Sequence, residues 1–245
     1  MAALLAASAL GFHPGSAQAA PDKLHDGLFK KQQAPGRQFN APPVARYVTE
    51  DGDVFTLDRS GARPMIRFDD SPEVWVLTAQ PAPRGDVIYK DELGQPVLRA
   101  TRLGGITLFT EERPNGQAVS FAGPGLGLRV IPISAQALGE RLLHAAVRSG
   151  RAAHRAITYQ ADASSASAGL MSDAAQVTSL AFLEVADRPD GRGMLSGVAK
   201  VQLVEARKPS VTLKGGVLWI AVTPADGFAG RPSSERIIKA LTRSR

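Results

Sequence analysis

From Val44 to Phe121 the chain never runs apolar for long before a turn signal cuts it. The runs "ARYVTEDGDVFTLD", "PMIRF", "EVWVLT", "DVIYK", "PVLRAT", "ITLFT" and "AVSF" are broken by "DDSP", "DELGQP" and "ERPNGQ". Short alternating segments bounded by Gly, Pro, Asn and Asp read as strands. In this order they form a meander of antiparallel strands that closes into a small sandwich or a partly open barrel. In the first run Asp51-Gly52 is the dipeptide of a type I′ turn, and a two-residue loop there places Val48 opposite Phe55.

Two glycine pairs decide whether the chain carries a phosphate-cradling loop. Such a loop needs glycines that open onto a helix N-terminus, where free backbone N–H groups converge on the anion. "LGGITLF" opens a strand instead, so Gly104-Gly105 reads as a hairpin corner with Leu103 opposite Ile106 and Thr101 opposite Leu108. "LKGGVLWI" repeats the device: Gly215-Gly216 set Leu213 opposite Leu218 and Val211 opposite Ile220. The glycine-rich "AGPGLGLRV" at 122–130 comes after a strand and runs toward Pro132, which forbids an ordinary helix start there. It reads as a connection between the β half and the helical segment beyond it.

Residues 134–157, "SAQALGERLLHAAVRSGRAAHRAI", have helical periodicity, with Ser134 as N-cap and Gly150 as a weak point. At about 100° per residue, Arg141, His144, Arg148, Arg151 and Arg155 form one basic stripe, while Leu138, Leu142, Ala146, Ala153 and Ile157 line another side. "ADASSASAGLMSD" reads as a small-residue linker, and "DAAQVTSLAFLEVAD" as a second helix with Val177, Leu180, Ala181 and Val185 on one face. After a "DRPDGRG" turn come strands near 197–206, 210–214 and 217–223, then "PSSERIIKALTRSR", a serine-capped helix with a basic last turn.

The first residues, "MAALLAASALGF", are a short apolar run succeeded by "SAQAAPDK", where Ala17 and Ala19 make the A-x-A pattern of a signal-peptidase site. Cleavage after Ala19 leaves a chain beginning at Ala20. No basic residue precedes the apolar run, and a cytoplasmic chain is the alternative. Residues 20–43, with four prolines, read as a flexible linker whose Lys30-Lys31 pair is solubilising. No later segment approaches the ~20 apolar residues of a membrane span.

Chemistry is narrowed by what the chain lacks. With no cysteine there is no thiol nucleophile, disulfide or thiolate metal site. Of the histidines, His144 and His154 stand about 15 Å apart along a helix, too far to share a metal, and His13 and His25 fall in the leader and linker. No G-x-S-x-G or S-x-x-K occurs, and "LDRSGAR" reads as a turn. The acid pairs Asp69-Asp70, Asp91-Glu92 and Glu111-Glu112 all sit in expected turns. No metal or cofactor is expected. The formal charge of +6 favours an anionic partner, but the basic helix has no interleaved aromatics, so nucleic acid is not expected.

The stretches "SPEVWVLTAQPAPRGDVIYKDELGQPVLRATRLGGITLF" and "GGVLWIAVTPADGFAGRPSSERI" resemble an uncharacterised family of exported alphaproteobacterial proteins, a domain of unknown function. The resemblance covers most of the chain after the leader. It implies a bacterial envelope protein and brings no activity or catalytic residue with it. The expected fold is α+β: the meander, two central helices, a further small β-sheet and a C-terminal helix. The organisation is 1–19 leader, 20–43 linker, an antiparallel β region 44–133, and a helical and β region 134–245 sharing one core with it. The first functional expectation is a non-catalytic periplasmic module that binds anionic lipid or envelope glycan through Arg141, His144, Arg148, Arg151 and Arg155. The second is a periplasmic hydrolase whose acids and serines, among them Asp86 and Asp91, converge only in the fold.

Overall fold

The structure is a computed structural model that describes residues 42–243; the leader and nearly all of the expected linker lie outside the described residues. The meander is β1 (Val44–Thr49), β2 (Val54–Asp58), β3 (Met65–Phe68), β4 (Trp75–Val76), β5 (Thr78–Pro81), β6 (Val87–Lys90), β7 (Pro96–Ala100), β8 (Ile106–Leu108) and β9 (Gln117–Pro124). These nine strands form one sheet in the order β4-β3-β2-β1-β9-β8-β7-β6-β5. Its two end strands are separated in the chain by Leu77 alone. Segment 75–81 is therefore a single strap. Its first part pairs with β3 (Met65↔Val76) and its second with β6 (Thr78↔Lys90 to Pro81↔Val87). Leu77 sits at the switch, fully buried, and its N–H donates to the Pro64 carbonyl. The sheet is thereby a nearly closed antiparallel barrel.

An aromatic row holds one side of the barrel. Tyr47 of β1 pairs with Phe55 of β2, which pairs with Phe68 of β3. Successive ring centroids lie 5.5 Å apart, and Trp75 stands next, at 6.1 Å from Phe68. Each such contact is worth roughly 0.5–1.5 kcal/mol beyond its buried area.

Three hairpins share a loop that the sequence reading did not anticipate. Thr49, Asp91 and Thr101 each begin a five-residue unit ending in Asp53, Gln95 and Gly105, and in each unit the first N–H donates to the last carbonyl. The first side chain accepts the last N–H in return, and the fourth residue is a glycine at φ of 97°, 86° and 96°. These are three-residue loops closed by a left-handed glycine. The expected two-residue loops are corrected accordingly. Val48 pairs with Val54, not Phe55, and Ala100 rather than Leu103 pairs with Ile106. Leu103 stands at the loop tip, 93% exposed. At Gly215-Gly216 both residues take positive φ, 58° and 78°, and there the expected pairs Leu213↔Leu218 and Val211↔Ile220 are found.

The second half runs α1 (Ala135–Ala153), β10 (Thr158–Ala161), α2 (Ala168–Ala186), α3 (Gly191–Leu195), β11 (Lys200–Glu205), β12 (Ser210–Lys214), β13 (Val217–Val222) and α4 (Ser234–Thr242). Its sheet has the order β10-β11-β13-β12, with β10, β11 and β13 parallel and β12 antiparallel to β13. Ser134 caps α1 by accepting the Ala137 N–H. The helix stops at Ala153, earlier than expected. His154 turns left-handed at φ 52°, and the His154 and Arg155 N–H groups close on Arg151 and Gly150. Arg155 and Ile157 are thus off the helix.

The first turns of α2 occupy what had read as a linker, and β10 fills the stretch between the expected helix and that linker. The physical reason for the longer helix is that α2 is buried over most of its circumference, with Ala168, Ser172, Ala175 and Ser179 covered as well as Leu170, Ala174, Ala181 and Val185. Such a helix shows no one-sided stripe. Most buried apolar residues of the described chain fall into two clusters, one inside the barrel and one around α2.

Candidate functional site

Helices α1 and α2 lie along each other, with Arg141 donating to Ser172 Oγ at 3.3 Å and Arg148 donating to Ser179 Oγ at 3.2 Å. Both steps are seven residues in the same sense, so the helices run parallel and the two contacts repeat about 10 Å apart. Between them is a groove of about 200 Å3 lined by Arg141, His144, Arg148, Ser172, Gln176 and Ser179. Among the described residues no carboxylate lies within 4.0 Å of either guanidinium. Arg151 is exposed in the last turn of α1, and Arg155 donates to the Ser196 carbonyl; neither lines the groove. Close helix approach here depends on small residues, Ala145, Ser149 and Ala152 on α1 being buried. Ser149 Oγ and Tyr159 Oη are paired at 2.7 Å beneath them, where burial pushes the phenol pKa up.

A second concentration of charge joins the barrel to the helical half. Arg231, after the turn Pro224–Gly230, has a side chain only 2% exposed. Its Nε donates to Asp173 of α2, its Nη2 to the Val74 carbonyl at 2.9 Å, and its Nη1 lies 3.5 Å from Glu73. Barrel carboxylates then cap α4. Glu73 accepts the Ser234 N–H at 3.0 Å and Glu92 the Ser233 N–H at 3.0 Å, while Arg236 donates to Glu92 at 2.6 Å. These are the N–H groups a helix start leaves without partners, and the helix dipole favours the negative charge. Burial opposes ionisation of Glu92, but the Ser233 and Arg236 hydrogen bonds outweigh it and hold its pKa below the usual value.

The Asp86–Asp91 convergence expected of a hydrolase is not found. Asp91 lines a cavity of about 40 Å3 at this seam with Glu92, Arg231, Ser233, Ser234 and Glu235. Asp86 is not in that lining; Arg99 donates to it at 2.5 Å and the Arg102 N–H at 3.2 Å, which lowers its pKa. Asp58 likewise serves structure. Burial works against its charge, yet bonds from Ser60 and from the Leu128 N–H keep it ionised, pinning the connection after β9. Among the described residues, no group of three or more acids and histidines is placed to hold a metal ion, and no helix is long and apolar enough to cross a membrane.

The profile of a family described as a domain of unknown function (DUF4908) matches residues 23–241, a span that takes in both halves and the seam. The chain belongs to the DUF4908 family. No curated protein and no solved structure matches it. In this DUF4908 chain the seam was missed by sequence reading because its members come from four separate segments: Glu73, Asp91-Glu92, Asp173 and Arg231–Arg236. The serines that meet Arg141 and Arg148 carried a usable signal, a seven-residue spacing matching that of the arginines.

Glu235 gives the DUF4908 seam a pH dependence. Burial, then repulsion from Asp91, Glu73, Glu184 and Glu92, pushes its pKa up to about 7. One carboxylate oxygen is buried with no hydrogen-bond partner among the described residues. Because the folded value lies above the unfolded one, its stabilising contribution is complete below about pH 4 and is lost as pH rises through about 7. Glu235→Gln is expected to flatten the fall in thermal midpoint between about pH 5 and pH 8, and to be more stable than the parent at the upper end. Parallel midpoint profiles for the two proteins would exclude this role.

Proposed function

We propose that this DUF4908 chain is an exported, periplasmic, non-catalytic module whose α1–α2 groove binds an anionic component of the cell envelope. One observation carries the reading: Arg141 and Arg148 are each steadied by a serine hydroxyl rather than a carboxylate, over a groove with no acid in its lining. A guanidinium so placed keeps donors free for a phosphate or carboxylate and does not have to break an ion pair to bind it. His144 adds a third donor, and exposed Arg151 extends the positive field along α1. The repeat of about 10 Å suits a ligand with regularly spaced anions, such as a lipid surface or an acidic glycan. The A-x-A pattern ending at Ala19 supports export. The hydrolase reading is weaker, since Glu73 and Glu92 are committed to capping α4 and the seam cavity has room for a few waters rather than a substrate.

The test is co-sedimentation of the protein with anionic vesicles and with cell-wall sacculi, at low and high salt, beside the variant Arg141→Gln/Arg148→Gln. Binding that weakens with salt and falls at least tenfold in the variant is expected. Equal binding by parent and variant, or none to either material, would sink the proposal.

A further inference from the structure

A second and larger cleft lies elsewhere. It opens where the β2–β3 loop, the connection 125–134, the start of α2 and the turn Pro224–Gly230 meet, and its volume is about 840 Å3. It shares no lining residue with the α1–α2 groove. Small-molecule sites occupy roughly 300–1,000 Å3, are walled mainly by apolar side chains with a few polar groups, and favour joints between packed units. This cleft has all three properties. Met65, Val76, Val130 and Phe228, all part-exposed, contribute apolar surface, and its charged lining is Arg63 and Arg129 against the single acid Asp226.

The two arginines are the informative part. Arg46, Arg99, Arg113, Arg188, Arg231 and Arg236 each have a carboxylate within 4.0 Å; among the described residues neither Arg63 nor Arg129 does, Arg129 feeling only the longer-range attraction of Asp58. The walls are also fixed in place. Gly169 lets the first turn of α2 close on the connection so tightly that a Cβ there would stand 2.3 Å from the Ile131 carbonyl. Gly230 does the same for the turn, where a Cβ would stand 1.9 Å from the Thr223 carbonyl. The Asp58 bond to Leu128 N–H anchors the remaining side. Little ordering is left to be done on binding, which favours affinity.

We propose that this cleft binds a single-chain amphiphile with an anionic head group, its apolar chain against the four apolar residues and its head group paired with Arg63 and Arg129. A neutral hydrophobe would leave Arg63 without a counter-charge and Arg129 with only the attraction of nearby Asp58, and a cationic amphiphile would meet a net positive lining. A polyanion would find only two cations, the acid Asp226 and mainly apolar walls.

Titration calorimetry of the full chain with laurate, below its micellar concentration, tests this against two probes: dodecyltrimethylammonium, which keeps the chain and reverses the charge, and acetate, which keeps the head group alone. Laurate is expected to bind once per chain, at least tenfold tighter than the cation, with no binding of acetate. Arg63→Gln/Arg129→Gln should weaken laurate at least tenfold. Ala166→Trp, which fills the cleft from an exposed position, should abolish binding. Arg141→Gln/Arg148→Gln should leave laurate binding unchanged, so this site and the envelope-binding groove stand or fall separately. In the unaltered protein, laurate should slow amide hydrogen exchange at 128–132 and 224–229, a readout independent of how the variants fold. Absence of laurate binding, equal affinity for the cation, full affinity in Ala166→Trp, or protection confined to other segments would overturn the proposal.

Discussion

Truncating Arg231 to alanine is expected to cost about 3–5 kcal/mol, because it removes one partner of a buried charge cluster and leaves the others in place. Glu73, whose side chain is 5% exposed, and Asp173 would remain as carboxylates without their cation, and the Val74 carbonyl would lose its donor. The loss falls on the seam, so its signature goes beyond a lower midpoint. The two tryptophans report one half each: Trp75 lies in the barrel strap and Trp219 in β13. In single-tryptophan versions of the parent the two urea transitions should coincide, as a cooperative unit requires. With Arg231→Ala they should separate. Asp173→Asn should be destabilising alone but add little to Arg231→Ala, since it removes one of the carboxylates left unpaired. A cost below about 1 kcal/mol with transitions still superimposed would show that the halves are joined by something other than this cluster.

The second large effect is steric. Gly191 opens α3 directly beneath the end of α2, and a Cβ built on it would lie 1.8 Å from the Val185 carbonyl oxygen. That oxygen already accepts the Arg188 N–H, and the Gly191 N–H donates to Arg188, so the turn has no slack through which to retreat. Gly191→Ala is expected to cost more than about 3 kcal/mol, at the upper end of overpacking effects. Gly139 provides the opposite case on exposed surface of α1, where a Cβ meets nothing within 4 Å beyond the helix itself. Gly139→Ala should stabilise by about 0.5–1 kcal/mol through helix propensity and a less flexible unfolded chain. Denaturant titration of both variants checks the pair. A small loss at Gly191 would mean that the α2–α3 turn shifts freely.

How much of this was legible in the sequence depended on how local the cause was. The Gly215-Gly216 register was readable because both loop positions demand positive φ and glycine stands at both. The Thr49, Asp91 and Thr101 loops need positive φ at one position only, so a glycine marks the loop without fixing its length. What fixes it is the first residue's oxygen reaching the fifth N–H, a signal carried by Thr or Asp four positions earlier. The basic stripe of α1 was legible as helix geometry as far as Arg151. It fails at Arg155 because a left-handed His154, a residue type that tolerates that region, ends the helix. The seam had no linear signature at all. Asp91-Glu92 looked like turn acids and Glu73 like the start of a strand, and only the three-dimensional path of the chain sets Glu73 and Glu92 against the start of α4.

The strap at 75–81 also bears on how copies of this protein meet one another. An open sheet presents two rows of unpaired N–H and C=O groups, each a template for a strand from another molecule. Here one segment serves both rows, leaving the nine-stranded sheet little backbone to offer a neighbour. Besides the four-residue outer side of Thr78–Pro81, the edges belong to the smaller sheet, and both of those are poor templates. β10 is only Thr158–Ala161, and β12 ends in Lys214 beside the tight Gly215-Gly216 turn. Short strands and edge lysines are the usual guards against fibril-like growth. The described chain, with thirteen strands and exposed leucines at several loops, thereby offers little edge backbone for pairing with another copy.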